Sequence, residues 1–182
     1  MIKILVNLFS LVILGIIQVS FLTTWLPPIS SLNLILSLVI FLTVIINYQK
    51  GLWWALGGGL FLEFYSGLNF GVTTISLILI VVEINFLFNN FFTNRSFYSL
   101  MILGFLGSVS YNLLVLILGL VTSIFGLGYF SLGVNFWFEF FWPPVLNLIV
   151  LAIIFFSYYI STVRLKNIFL FHSTGYETKG KF

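Results

Sequence analysis

Apolar positions run along this chain in long unbroken blocks, with neither the period-two alternation of a half-buried strand nor the polar stripe of a surface helix. Six blocks approach or exceed the roughly 20 residues, at about 1.5 Å each, that a helix needs to cross a hydrocarbon core. They cover about 4–24, 31–47, 51–67, 72–92, 97–123 and 135–161. Turn signals separate them: Trp25-Leu26-Pro27-Pro28, then Asn47-Tyr48-Gln49-Lys50, then the asparagines at 89, 90 and 94. Glycines at 126, 128 and 133 precede the last block. The third block is the least regular, because Gly57, Gly58 and Gly59 weaken helix and Glu63 follows them. Backbone groups in lipid must bond internally, and without alternation a closed barrel is excluded. The pattern therefore predicts an all-α polytopic membrane protein, a bundle of about six transmembrane helices.

Composition sharpens this. Hydrophobic residues make up 61% and charged residues 6% of the 182-residue chain, against about 25% charged in a soluble domain. Too little polar surface remains to face water. The net charge of +3 is better read as a topology signal than as a nucleic-acid patch. With no cysteine, disulfides, thiolate nucleophiles and cysteine-ligated metals are excluded. The first block follows Lys3 but lacks a short h-region ending in a small-residue cleavage site, so it is expected to stay as a helix.

All seven Lys and Arg, at 3, 50, 95, 164, 166, 179 and 181, fall on one side of a six-span arrangement. The opposite loops, around 25–31, 66–71 and 124–135, carry none. By the positive-inside rule both termini are cytoplasmic. Residues 1–163 then form the transmembrane domain, and 164–182 a polar, flexible cytoplasmic tail in which His172 is solvated.

Polar groups inside the blocks are costly, at least ~3 kcal/mol for a charge at mid-bilayer. Glu83, Asn112 and Asn147 each lie roughly 11 or 12 residues from the outer ends of blocks four, five and six, a common depth of roughly 17 Å. They are expected to form one buried hydrogen-bonded layer, with Glu83 protonated and donating to an amide. Such a layer reads as a proton relay, a ligand site or interhelical glue. Glue is favoured, because transport normally needs more than one ionisable group. Glu139 suits a first-turn carboxylate on the helix dipole. The pair Pro143-Pro144 is expected to kink or break block six. A Walker-type phosphate loop, a His-containing metal cluster and a Ser/His/Asp set are all missing from the sequence, so neither an enzyme nor a cofactor is expected.

The stretch 51–71, reading GLWWALGGGLFLEFYSGLNFG, combines a glycine cluster, an acid, a Ser-Gly pair and a final glycine. Small residues allow close helix approach, and Gly67 and Gly71 supply a tight turn. Packing accounts for the glycines alone as well as function does; the ordered set is more specific. It resembles the rod shape-determining protein MreD family, whose third segment has a "GLLLDLLSG…LG" character after a short basic turn. Gly59, Leu60, Glu63, Ser66, Gly67 and Gly71 match, with Glu63 where an aspartate is usual. Length, six-segment hydropathy and the last segment with Pro143, Pro144 and Asn147 also fit.

The resemblance implies a non-catalytic scaffold of the cell-elongation, peptidoglycan-synthesis machinery in the bacterial inner membrane. It would pair with an MreC-like partner and act with MreB, a RodA-type polymerase and a penicillin-binding protein. An alternative is the substrate-binding membrane subunit of an energy-coupling-factor vitamin transporter, also a small six-helix protein. That role needs a polar pocket at the outer face, where the sequence offers only Glu63, Asn69, Asn135 and Glu139. A small channel or proton-coupled carrier built on Glu83 is a third class.

Overall fold

A computed structural model of the chain describes residues 2–22, 29–66, 70–92, 94–126 and 136–177. Among these, helices account for all regular structure. Helix α1 (Ile2–Ile17) relaxes into a π-helical turn at Gln18–Leu22, and a 3₁₀ turn at Ile29–Ser31 precedes α2 (Leu34–Phe41). A second π-helical turn, Leu42–Ile46, extends α2. Then come α3 (Tyr48–Ser66), α4 (Val72–Phe91), α5 (Phe97–Ile124) and α6 (Phe136–Glu177). Among the described residues, three helical stretches are long and apolar enough to cross a membrane: Val72–Phe91, Phe97–Ile124 and Phe140–Thr162.

The second block differs from its expected span. With its π-helical turn, α2 covers Leu34–Ile46, or roughly 20 Å of rise, short of the ~30 Å core. Its place explains how so short a helix persists. Leu36, Val39, Ile40 and Val44 are wholly buried, and α3, α4, α5 and α6 all pack on α2. A helix apolar on every side belongs in an interior, so α2 is the core around which the longer helices stand. Helix α3 is long enough at 19 residues, but Lys50, Glu63 and four glycines dilute its apolar character.

Contacts fix the running directions. Gly51 meets Thr43 while Gly58 meets Ile35, so α2 and α3 are antiparallel. Leu11 meets Gly57 and Phe61 meets Gly15, so α1 and α3 are parallel. Glu63 reaches Thr74, Glu83 reaches Ser110, and Asn112 reaches Phe140, which makes α3, α4, α5 and α6 successively antiparallel. The six helices therefore alternate in direction.

Three consecutive glycines on α3 point, at about 100° intervals, toward three different helices. A Cβ on Gly57 would lie 2.7 Å from Leu11 Cδ1 of α1, and one on Gly58 would press on Ile35 Cγ2 of α2. On Gly59 it would lie 2.6 Å from Thr74 Cα of α4. Small residues let helix backbones approach when no hydrophobic drive exists between lipid-bathed helices. Gly107 does the same for α5, where a Cβ would meet Ile84 Cδ1 at 2.7 Å and Ile40 Cδ1 at 3.2 Å.

Helix α6 brings two further differences. Pro143 and Pro144 sit inside it, both buried, and the helix continues through them, so of the expected kink or break no break occurs. The segment from 164, expected to be a flexible tail, carries the same helix on to Glu177.

The glycine contacts rank by what a methyl group would strike. Gly59→Ala must displace the α4 backbone and is expected to cost about 1–3 kcal/mol. Gly57→Ala meets only the tip of a flexible leucine, and its gain in helix propensity, up to about 1 kcal/mol, offsets the contact. Thermal unfolding in detergent should show a clear drop for the first and little change for the second; equal drops would contradict the assigned packing.

Candidate functional site

Several interior polar side chains serve helix ends. The first four N–H groups of any helix lack intrahelical partners, and for α2 these lie inside the bundle. Asn33 is the N-cap, its backbone extended and its Oδ1 accepting from Leu36 N at 2.9 Å. Gln18 Oε1, from the π-helical turn of α1, accepts from Ile35 N at 3.0 Å. Asn147 Oδ1, from α6, accepts from Asn33 N at 3.0 Å. Three of the four orphan donors are thus bonded by side chains of three elements. Gln18 Nε2 also donates to Asn33 Oδ1 at 3.3 Å, and Asn147 Nδ2 to Ser108 Oγ of α5 at 3.4 Å. Ser37 Oγ donates to the Asn33 carbonyl.

The other end of α2 is closed by Arg95. Its Nη1 donates to the carbonyls of Ile45 and Ile46 at 2.8 and 3.0 Å. A cation on the last carbonyls also complements the helix dipole. The sequence marks Arg95 only as a topology charge.

Glu63 caps α4 from α3. Gly71, with φ +98°, is the N-cap of α4 and has no side chain to offer. Glu63 Oε1 supplies the missing acceptor, taking a bond from Thr74 N at 2.9 Å. The carboxylate is buried, and its Oε2 and the Thr73 and Thr74 hydroxyls have no hydrogen-bond partner among the described residues. Its desolvation is offset by one bond and the positive end of α4. Gly67 lies outside the described residues, as do the side chains of Ser66 and Glu139.

The expected polar layer is not one cluster. Glu83 Oε1 accepts from Ser110 Oγ at 2.8 Å, so its partner is a hydroxyl rather than an amide. Asn112 Nδ2 donates to the Phe140 carbonyl at 3.2 Å, while Asn147 bonds Asn33 and Ser108. No described hydrogen bond joins any two of Glu83, Asn112 and Asn147. Azimuth and register are the reasons. Ser110 and Asn112 are about 200° apart around α5, so one faces α4 and the other α6. Asn112 lies opposite Phe140 and Asn147 opposite Ser108, which sets the two amides about one turn apart.

Asn112 nevertheless has an evident task. In a regular helix the Phe140 carbonyl accepts from the N–H four residues on, and that residue is Pro144, which has none. The Asn112 amide takes its place, the kind of re-satisfaction that lets proline sit inside a membrane helix. Of the groups missed by sequence reasoning, Asn33 carried a usable signal: an N-cap residue directly before an apolar run. Gln18 was visible only as one of two amides, with Asn7, within the first block.

Fold and interior together define an all-helical protein with helices suited to a membrane and polar side chains spent on helix termini. Comparison with protein-family models, with curated proteins and with solved structures finds no match for the chain. Clusters of three or more His, Cys, Asp or Glu able to hold a metal do not occur among the described residues.

These bonds differ in what a substitution removes. Asn147→Leu strips the acceptor from the half-buried Asn33 N–H and should cost about 1–3 kcal/mol of unfolding free energy. Glu83→Gln keeps an acceptor oxygen opposite Ser110 and should change stability by less than about 0.5 kcal/mol. Detergent unfolding titrations that rank the two alike would refute this assignment.

Proposed function

We propose that this chain is a non-catalytic scaffold of the bacterial cell-elongation machinery, similar to MreD, crossing the cytoplasmic membrane six times with both termini inside. Segregation of its cationic residues and the alternating helix directions support that topology. The observation that carries the functional reading is the use made of the resemblance-bearing stretch. Gly57, Gly58, Gly59 and Glu63 join α3 to α1, α2 and α4. Two of the residues on which the likeness to MreD rests, Gly59 and Glu63, are thereby occupied in building a helical platform. A scaffold needs such a platform, because binding to a preformed surface costs less ordering than binding to a mobile one.

Apolar surface for neighbours is ample. On α5, Ile102, Phe105, Leu113 and Ile117 face outward, and on α6, Ile149, Ile153 and Phe156 do so. In this reading the outer faces carry lipid and the transmembrane helices of an MreC-like partner. MreB, a RodA-type polymerase and a penicillin-binding protein complete the assembly.

Depletion of the chain in its own host, scored for cell shape and combined with site-specific crosslinking from α3, tests the proposal. Conversion of rods to spheres, with an MreC-like protein among the crosslinked products, is the expected outcome. Unchanged shape with loss of vitamin uptake would replace the scaffold by the substrate-binding subunit of an energy-coupling-factor transporter.

A further inference from the structure

Between α1 and α3 lies an open groove of about 700 Å³, lined by Asn7 and Leu11 on one side and by Lys50, Trp53, Trp54 and Leu60 on the other. Gly57 forms part of its floor. The polar groups are unevenly placed. Asn7 and Lys50 both belong to the starting ends of two parallel helices, and everything deeper is hydrocarbon or aromatic ring. At the inner limit the Phe61 ring closes onto Gly15.

From Lys50 to Leu60 the groove follows ten residues of α3, roughly 15 Å of rise. That is half of a hydrocarbon core about 30 Å thick, the depth of one leaflet. An extended acyl chain of one leaflet matches that length and the apolar lining.

Charge selects among lipids. Lys50 is exposed, and the two described carboxylates are engaged elsewhere, Glu63 at Thr74 and Glu83 at Ser110. Trp53, 74% exposed one turn inward from Lys50, places an amphipathic ring where headgroup and hydrocarbon meet. A phosphate bearing no cation of its own complements the lysine fully; a zwitterionic headgroup does so only in part.

We propose that the α1–α3 groove binds an anionic glycerophospholipid, its phosphate against Lys50 and Asn7 and its acyl chains along Leu11, Gly57 and Leu60. The site requires a bilayer around the chain but does not depend on which leaflet holds it or on the scaffold role. A lipid seated here fills the gap beside the glycine cluster and completes the packing of α1 on α3.

The full chain in vesicles containing phosphatidylglycerol and phosphatidylcholine, one or the other carrying a photoactivatable acyl chain, provides the test. Peptide mapping should find phosphatidylglycerol adducts at residues 7–11 and 50–60 roughly fivefold above phosphatidylcholine adducts, the factor one lysine supplies. Lys50→Gln should bring that ratio near one. Gly57→Leu, which fills the floor, should lower groove labelling by both lipids, with thermal unfolding reporting that the fold persists. Equal labelling by the two lipids in the wild type, or a preference that survives Lys50→Gln, would overturn the proposal. Crosslinking of Trp53 or Leu60 to a second copy in place of lipid would do the same.

Discussion

A helix that ends inside an apolar bundle must have its terminal N–H and C=O groups bonded by other parts of the chain, because water is not there to do so. Helix α2 imposes this demand at its N-terminal end, where Ile35 and Leu36 are buried, while its C-terminal end is exposed and held by Arg95. Gln18, Asn33 and Asn147 bring α1, the helix's own cap and α6 to its N-terminal end. Arg95 brings the start of α5 to its C-terminal end. Each bond also fixes the height of the element that provides it. Polar residues that look expensive in a hydrocarbon setting thus position three other segments around one short apolar core.

The glycines act in the complementary direction. Capping sets heights along α2, while Gly57, Gly58, Gly59 and Gly107 set lateral distances by letting side chains and backbone of neighbouring helices press in. Attraction between helices in lipid comes from such close packing and from interhelical hydrogen bonds. Both kinds of contact converge on α3, whose glycines meet α1, α2 and α4 and whose Glu63 caps α4. A platform held this way presents rigid outer faces, consistent with the proposed scaffold role and with a lipid-sized groove where α1 and α3 separate.

Hydropathy alone located α4 and α5 to within a residue or two, since blocks 72–92 and 97–123 nearly coincide with Val72–Phe91 and Phe97–Ile124. Long apolar runs bounded by asparagine, serine or glycine leave little freedom. The shortness of α2 was not legible, because a buried helix and a spanning helix share the same apolar composition. Asn33, its N-cap, sat within a run counted as continuous. The capping role of Glu63 was not legible, since the helix start that it serves depends on the turn at Gly71. The layer of Glu83, Asn112 and Asn147 failed because counting residues estimates depth and says nothing of azimuth. Asn112 illustrates the gap, since its partner is a carbonyl freed by Pro144 on another helix.

The claim on which this picture depends is that Leu34–Ile46 is an interior helix with both ends bonded by side chains. Hydrogen–deuterium exchange of the full chain in lipid nanodiscs addresses it directly, since exchange reports local opening. The account predicts that amides of residues 35–44 exchange among the slowest in the protein, including those nearest the helix start, where fraying would otherwise be fastest. Rapid exchange at Ile35 and Leu36, on the scale of the outer ends of α5, would mean that the cap is not formed and would contradict it.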